Sequence, residues 1–209
     1  MIRIAHRGMG QGEGENTLHS IKEAIERGAK FVEFDVWMAR CKPVLSHDKP
    51  TSFANLTFLK DVLGFICLKR DVAPVIEIKD INAVADTLLW VRAYSLHNRT
   101  IVASFDLDIL WEVQRIIQDA GLKIPIGYLY ASFKVASDAR SVGATWIMPH
   151  YSLVDEDFVT RTHNAGLKVC AWTVDDPAEV ERLEKIGVDA IVTNNPELFT
   201  DNAHLAPEI

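Results

Sequence analysis

Cysteine, long apolar runs and positive charge are all scarce in this chain of 209 residues. The three cysteines, Cys41, Cys67 and Cys170, are odd in number and their spacing fits no zinc-binding template, so we expect free thiols. No run reaches the ~18 consecutive apolar residues of a transmembrane helix. The N-terminus shows neither a basic region nor an apolar signal core. We therefore expect a cytoplasmic protein with no stable membrane anchor.

Negative charge is in excess, and the formal net charge is −7. This balance disfavours a nucleic-acid-binding groove and simple electrostatic docking on anionic membranes. No Gly-x-Gly-x-x-Gly motif follows the first strand-like run, which weakens the case for a dinucleotide-binding fold. Apolar residues still make up 48% of the chain, enough for a sizeable core in one domain.

Eight short apolar runs are typical of strands, and helical patterns lie between them. Strands that alternate with helices predict a parallel sheet, and eight of them in one domain predict a (β/α)8 TIM barrel over residues 1–209. An open doubly wound sheet is the alternative. The predicted strands cover residues 3–6, 31–37, 74–78, 100–104, 124–129, 145–148, 168–174 and 190–193.

Two further segments have local signals. Asn16 or Thr17 is expected to cap the first helix, because both residue types favour that position. The glycine-rich loop at residues 9–14 is expected to be mobile. Residues 201–209 are expected to form a loosely held C-terminal tail.

Three carboxylates lie in two neighbouring strand-like runs. Glu33 and Asp35 are two residues apart in the second run, so their side chains point to one face, and Glu77 lies near the end of the third run. In a barrel, the C-terminal ends of the strands form one rim, where chemistry takes place. Three buried carboxylates without a cation would be very unfavourable. Because oxygen ligands suit hard cations, we predict one bound divalent cation, Mg²⁺ or Ca²⁺.

Two histidines and two cations are expected at the same rim. His6 and Arg7 end the first run, Lys79 comes two residues after Glu77, and His47 follows a segment that could form a short hairpin. Cleavage of a phosphodiester needs a base for the nucleophile and an acid for the leaving alkoxide. Two histidines supply both near neutral pH. A guanidinium fork and an ammonium group suit phosphate oxygens. The combination predicts metal-dependent phosphodiester cleavage.

The order and wording of these motifs resemble the glycerophosphodiester phosphodiesterase family through nearly the whole chain. The matching segments are His6-Arg7-Gly8, Glu15-Asn16-Thr17, Glu33-Phe34-Asp35, His47-Asp48, Glu77-Ile78-Lys79, Ser104-Phe105 and Trp172-Thr173-Val174. The resemblance implies a (β/α)8 barrel and a small phosphodiester as the substrate. It also implies that His6 and His47 are the acid/base pair and that Glu33, Asp35 and Glu77 are the metal ligands. By the same resemblance, Arg7 and Lys79 contact the phosphate and Trp172 lines the substrate pocket.

The chain departs from the family pattern at two places that bear on specificity. Only a short segment separates His47 from Glu77, where many relatives have an inserted subdomain that shapes the substrate pocket. After the last strand, Thr193-Asn194 stands where Thr-Asp is frequent. The head-group and lipid preferences therefore stay open, as does the oligomeric state, for which a homodimer is one option.

Glycerophosphodiesters are the expected substrates, and hydrolysis would give glycerol 3-phosphate and an alcohol. The first alternative is release of a lipid head group, as a lysophospholipase D or sphingomyelinase D would perform. The second is a non-catalytic barrel that binds phosphate esters.

Overall fold

The computed structural model describes residues 1–9, 12–131 and 136–199. The predicted tail at 201–209 and residues 10 and 11 of the glycine-rich loop lie outside this part. Strands within it are β1 (Ile2–Ala5), β2 (Phe31–Ala39), β3 (Lys42–Leu45), β4 (Thr57–Phe58), β5 (Ala73–Ile78), β6 (Ile101–Ser104), β7 (Ile126–Tyr130), β8 (Trp146–Pro149), β9 (Lys168–Ala171) and β10 (Ala190–Thr193). The α-helices are α1 (Leu18–Glu26), α2 (Leu59–Cys67), α3 (Val84–Ala93), α4 (Leu107–Asp119), α5 (Ala136–Ser141), α6 (Glu156–Asn164) and α7 (Pro177–Lys185).

Eight of the strands close into a parallel barrel. Their order around the barrel is β1-β2-β5-β6-β7-β8-β9-β10, and β1 pairs with both β2 and β10. The predicted (β/α)8 barrel is confirmed, and closure through β1 rules out the open doubly wound sheet.

The predicted strand bounds agree with the structure to within two residues, except for the seventh barrel strand. That strand ends at Ala171 instead of reaching residue 174. Beyond Ala171 the parallel pairing shrinks to one isolated bridge between His150 and Trp172. Trp172 therefore stands just past the end of β9, at the rim of the barrel.

A hairpin extends β2 above the barrel. β3 runs antiparallel to the C-terminal part of β2, in a register that pairs Val36 with Leu45 and Ala39 with Lys42. Arg40 and Cys41 form the turn with φ values of 45° and 60°, as a tight two-residue hairpin turn requires. The predicted hairpin is confirmed, and it returns the chain to the rim just before His47.

The barrel interior is apolar except at its C-terminal end. On β2 the inward row starts with Phe31 and continues with Glu33 and Asp35, since alternate residues of a strand share one face. On β5 the corresponding row changes from Val75 to Glu77. Below these carboxylates lies an apolar cluster that contains Ile4, Phe31, Ala73, Val75, Ile101, Ala103, Leu129, Trp146, Met148, Cys170, Ala190 and Val192.

Thr17, one of the two predicted caps, begins α1. Its hydroxyl accepts a hydrogen bond from the Ser20 amide, and the Ser20 side chain accepts one from the Thr17 amide. Cys41, Cys67 and Cys170 are free thiols. Within the described ranges, no helix combines the length and apolar character needed to cross a membrane.

Candidate active site

A cavity of about 270 Å³ opens among the C-terminal ends of the barrel strands. Seven of the eight predicted site residues line it, and the eighth, Asp35, is buried beside them with 1% of its surface exposed. The chain thus brings together residues that lie far apart in sequence. The seven lining residues are His6, Arg7, Glu33, His47, Glu77, Lys79 and Trp172.

The three carboxylates form one compact cluster. Glu33, Asp35 and Glu77 each offer an oxygen, and these oxygens lie within 4.8 Å of one another. Burial and the neighbouring charges of Asp35 and Glu77 raise the pKa of Glu33 well above its ordinary value. Burial, with the charge of Asp35, raises the pKa of Glu77 to about 7. The cluster therefore holds its negative charge at a free-energy cost that a bound cation would remove.

Lys79 partly compensates the cluster. Its Nζ lies 3.1 Å from Asp35 Oδ1 and 3.1 Å from Glu77 Oε1. Burial alone would lower the pKa of Lys79, but the charges of Glu77 and Asp35 outweigh it and raise the pKa. Lys79 is therefore a charged group whose ammonium faces both the carboxylates and the cavity.

Arg7 is held by carboxylates on two sides. Its Nη1 donates to both oxygens of Glu15, at 3.0 and 2.9 Å, and its Nε lies 3.3 Å from Asp35 Oδ2. The backbone amide of Arg7 also donates to Glu33 Oε2 at 3.0 Å, although its φ of 50° is unusual for this residue type. The guanidinium fork predicted for phosphate is thus already oriented by protein carboxylates.

Asn16, the other candidate cap, has a different position. It is buried, its Nδ2 donates to Asp35 Oδ2 at 2.8 Å, and its Oδ1 accepts from the Asp35 amide at 2.9 Å. Two hydrogen bonds to one residue fix the carboxylate of Asp35 at the side of the cluster. The sequence could not separate this role from capping, because asparagine suits both.

The charges within the carboxylate cluster and its ion pairs do not balance without a cation. The three cluster carboxylates and that of Glu15, which pairs with Arg7, face the two cations Arg7 and Lys79. The excess of negative charge equals the charge of one divalent ion when all four are ionised. An all-oxygen donor set of this kind fits Mg²⁺ or Ca²⁺.

His6 lies deep in the cavity. Its Nε2 is 4.0 Å from Glu33 Oε2, and its Nδ1 is 2.8 Å from Asn194 Oδ1. Burial lowers the pKa of His6, and the positive charge of Arg7 lowers it further. The ring is therefore favoured in its neutral form, with one nitrogen turned toward the carboxylate cluster and the other toward Asn194.

His47 is the outer histidine. Its side chain is 38% exposed, and its Nδ1 lies 3.1 Å from Oδ1 of the exposed Asp48. The Trp37 indole donates a hydrogen bond to the backbone carbonyl of His47 at 3.2 Å. The backbone is thereby tied to β2, while the ring has access to both cavity and solvent.

Behind His6 lies a hydrogen-bonded pair that the sequence did not reveal. Asn194 donates from Nδ2 to Asp175 Oδ2 at 2.9 Å and from its backbone amide to Asp175 Oδ1 at 2.6 Å. The Thr193 hydroxyl donates to the same Oδ1 at 3.0 Å. The departure from Thr-Asp pointed to Asn194 as unusual, but no sequence signal linked it to His6 or to Asp175.

The opposite wall of the cavity is apolar. Trp172 lines it and is fixed by a hydrogen bond from its Nε1 to the Met148 carbonyl at 2.8 Å. Phe105 packs edge-on against Trp172 with ring centroids 5.3 Å apart, and it is 43% exposed at the rim. The other apolar residues that line the cavity are Val75, Ala103, Leu129, Met148 and Val192.

Similarity to known proteins identifies the family of this chain. The model of the glycerophosphoryl diester phosphodiesterase family matches residues 6–63 and 59–198. A glycerophosphodiester phosphodiesterase of Caldanaerobacter subterraneus subsp. tengcongensis is 27% identical, and the alignment covers 93% of this chain and 94% of the relative.

Two solved structures extend the comparison. A glycerophosphodiester phosphodiesterase from Parabacteroides distasonis has a TM-score of 0.83 and 26% identity, with 97% of this chain and 96% of that chain covered. An Oleispira antarctica phosphodiesterase, in complex with its product sn-glycerol-3-phosphate, has a TM-score of 0.82 and 21% identity, with 95% of each chain covered. The prediction made from the motifs is therefore confirmed: this chain belongs to the glycerophosphoryl diester phosphodiesterase family.

Proposed function

We propose that the protein hydrolyses glycerophosphodiesters to glycerol 3-phosphate and an alcohol, with a divalent cation and two histidines. One observation supports this above the others: a single cavity joins the carboxylate cluster to two cations and two imidazoles. Family membership supports the reaction class, and the product bound to the Oleispira enzyme is the one proposed for this chain.

Glu33, Asp35 and Glu77 would hold the cation. When bound, the cation supplies Lewis-acid stabilisation of the charge on a phosphoryl oxygen. The raised pKa of Glu33 and Glu77 means that protons compete for the same oxygens, so cation affinity should increase with pH.

Lys79 and Arg7 would bind the phosphate. Both are oriented in advance by ion pairs with Asp35, which reduces the entropy lost when substrate binds. Lys79 offers a point charge next to the cluster, and Arg7 offers Nη2, since Nη1 donates to Glu15 and Nε faces Asp35.

His6 and His47 would transfer the protons. One imidazole removes the proton from the attacking hydroxyl, and the other donates a proton to the leaving alkoxide. An attack by the substrate's own neighbouring hydroxyl would give a cyclic phosphate, which water then opens. The exposed ring of His47 can exchange protons with solvent, while His6 is shielded in the cavity.

A second candidate substrate class has its own observation in its favour. Among the described residues that line the cavity, Thr173 is the one polar side chain outside the charged and histidine group. The remaining wall is apolar and ends in the exposed Phe105, which could accommodate a hydrocarbon chain more readily than glycerol hydroxyls. Release of a head group from a lysophospholipid is therefore the alternative to be tested.

The test is hydrolysis of glycerophosphocholine, glycerophosphoethanolamine and lysophosphatidylcholine, each in EDTA, Mg²⁺ or Ca²⁺. Phosphorus NMR would identify the product and reveal a cyclic phosphate. Cation-dependent turnover of the first two substrates supports the proposal, and turnover of the lysolipid alone supports the alternative.

The experiment also addresses a non-catalytic role. If a folded, cation-binding protein turned over none of the three substrates, the proposal would be refuted. Equal phosphate-ester binding by the wild type and a His6→Ala/His47→Ala variant would then indicate a binding module, since binding alone does not need two imidazoles.

A further inference from the structure

The hydrogen bonds behind His6 determine which of its nitrogens carries a proton. Asp175 accepts three hydrogen bonds, from the Thr193 hydroxyl, the Asn194 backbone amide and Asn194 Nδ2. An ionised carboxylate has no hydrogen to donate and can only accept. The amide nitrogen of Asn194 must therefore face Asp175, because the reverse orientation would place the amide oxygen 2.9 Å from a carboxylate oxygen.

This orientation leaves the oxygen of Asn194 facing His6. Asn194 Oδ1 is 2.8 Å from Nδ1 of His6, and an amide oxygen can only accept. Nδ1 of His6 must therefore be the donor, and it must carry the proton. In the neutral ring the lone pair is then on Nε2, the nitrogen that faces the Glu33 side of the cavity.

We propose that Asn194, oriented by Asp175, is a positioning residue that holds His6 as its Nδ1–H tautomer and so directs Nε2 to exchange protons with substrate. The proposal rests on the proposed function for its kinetic consequence but not for the tautomer itself. Asn194 contacts His6 and not the reacting atoms, so its effect is on the ring's direction and tautomer.

The order of the two side chains, with the Asn194 amide next to His6 and the Asp175 carboxylate behind it, also matters for the charge near the ring. Asn194 gives His6 a neutral acceptor, while the negative charge of Asp175 is one residue further from the ring. The Asp175 carboxylate in turn lies in the loop after β9 and is held by the Thr193 hydroxyl and the Asn194 backbone amide, both of which donate to its Oδ1. Residues that follow β9 and β10 thus fix the imidazole ring of His6, which follows β1.

The first measurement is the tautomer of His6 by long-range ¹H–¹⁵N correlation in protein labelled at histidine, with the resonance assigned from a His6→Gln variant. We expect a protonated Nδ1 and an unprotonated Nε2 in the wild type. Asn194→Leu removes the acceptor, so we expect loss of this preference, with kcat lower by about 10- to 100-fold and little change in KM. A wild-type tautomer and kcat in Asn194→Leu would overturn the proposal.

An exchange of the two residues separates positioning from structural damage. Asp175→Asn alone lets the Asn194 amide adopt either orientation, so we expect a weaker tautomer preference and a lower kcat. The double variant Asn194→Asp/Asp175→Asn again places a fixed acceptor opposite Nδ1 of His6, so the Nδ1–H tautomer should recover. Its kcat should stay below the wild-type value, because the acceptor next to His6 now carries a negative charge. Failure of the double variant to recover the Nδ1–H tautomer, while it remains folded, would refute the proposal.

Asn195→Ala is the matched control. Its side chain bonds to backbone atoms of Asp175 and Glu197, so we expect the His6 tautomer to be unchanged. Because the NMR measurement needs no substrate, it decides the tautomer even if the hydrolysis proposed above were not observed. A shift of the tautomer in Asn195→Ala as large as in Asn194→Leu would indicate a general effect of this loop and would contradict a specific role for Asn194.

Discussion

The two halves of the barrel mouth differ sharply although the same interior pattern supports both. The inward rows of β1, β2 and β5 end in polar residues, which are His6 directly after β1 and the carboxylates Glu33, Asp35 and Glu77. The inward residues of β6, β7 and β8 that line the cavity are apolar, as Ala103, Leu129 and Met148 show. The polar half concentrates charge on adjacent strands, and the apolar half lines the cavity with side chains that form no hydrogen bonds to a ligand.

This difference shows that charged groups and the apolar lining of the cavity can lie on separate sides of one rim. Buried carboxylates are costly alone but become tolerable when cations and hydrogen-bond donors surround them. Asp35 illustrates the point, because Arg7, Asn16 and Lys79 all contact it. The apolar half has no such requirement. It should therefore tolerate substitution with changes in specificity, whereas substitution in the polar half should abolish the reaction.

The largest expected effect concerns the carboxylate cluster. Glu33→Gln removes a charge from the proposed cation site at nearly constant size. We expect turnover to fall on the order of 10³-fold, because several kcal/mol of charge stabilisation would be lost, and activation by Mg²⁺ or Ca²⁺ to weaken. Titration of activity with each cation checks this. Unchanged activation would rule out Glu33 as a ligand, and Asp108→Asn, an exposed rim carboxylate outside the cavity, is the control.

The variant His47→Ala tests separately whether the polar half transfers protons and whether it binds a cation. We expect kcat to fall by about 10²- to 10⁴-fold, because the variant would lose the proposed acid or base. Cation affinity, measured by calorimetry, should stay at the wild-type value because the three carboxylates are unchanged. His163→Ala is the control, since this histidine pairs with Asp189 instead of lining the cavity. A loss of cation affinity in His47→Ala would instead make His47 a ligand.

The polar half should also destabilise the cation-free protein as the pH rises. Glu77 has a pKa of about 7 in the folded chain against 4.5 ordinarily, so the folded state binds more protons than the unfolded state between these values. Stability in EDTA should therefore fall between about pH 4.5 and pH 7, by up to about 3 kcal/mol from this residue.

Urea unfolding at several pH values would measure this fall. Glu77→Gln should flatten the dependence, and saturating Ca²⁺ should oppose the loss because it binds the ionised cluster. Glu181→Gln, on an exposed helix face, should leave the dependence as in the wild type. Identical pH profiles for the wild type and Glu77→Gln would show that this carboxyl does not titrate as proposed.

The smallest expected effect lies in the apolar half. Phe105→Ser removes an exposed ring that packs on Trp172 at the cavity mouth. If a hydrocarbon chain lies against this wall, kcat/KM for lysophosphatidylcholine should fall about 10-fold relative to glycerophosphocholine. Phe53→Ser is a matched control, because Phe53 is equally exposed but packs under Arg40 outside the cavity. An unchanged ratio would place the lipid chain elsewhere or exclude a lipid substrate.

The sequence was sufficient to predict the barrel, because alternating apolar runs and helical patterns report local structure directly. The sequence also predicted that the proposed site residues meet at one rim, since residues at the C-terminal ends of barrel strands lie there. Trp172 was placed within β9 and lies just past it, because sequence patterns locate the ends of strands less well than their middles. The roles of all these residues remain predictions.

What the sequence could not give are contacts that depend on side-chain direction. Glu15 was known as part of a motif, but its pairing with Arg7 follows from the left-handed turn at Arg7 itself. Asn16 satisfied the rules for a helix cap and instead binds Asp35. Asp175 resembled any other loop carboxylate until closure of the barrel placed it next to Asn194.

The contact between His6 and Asn194 joins residues separated by 188 positions, across the seam where β1 meets β10. During synthesis the first histidine therefore leaves the ribosome long before its partner exists. Until the last strand has emerged and closed the ring, the nascent chain presents an unpaired strand edge and lacks the support for this imidazole. Chains cut short before residue 190 would lose β10, and with it both the closed barrel and a correctly held His6. Emergence of β10 is thus the step that both closes the barrel and completes the support of His6.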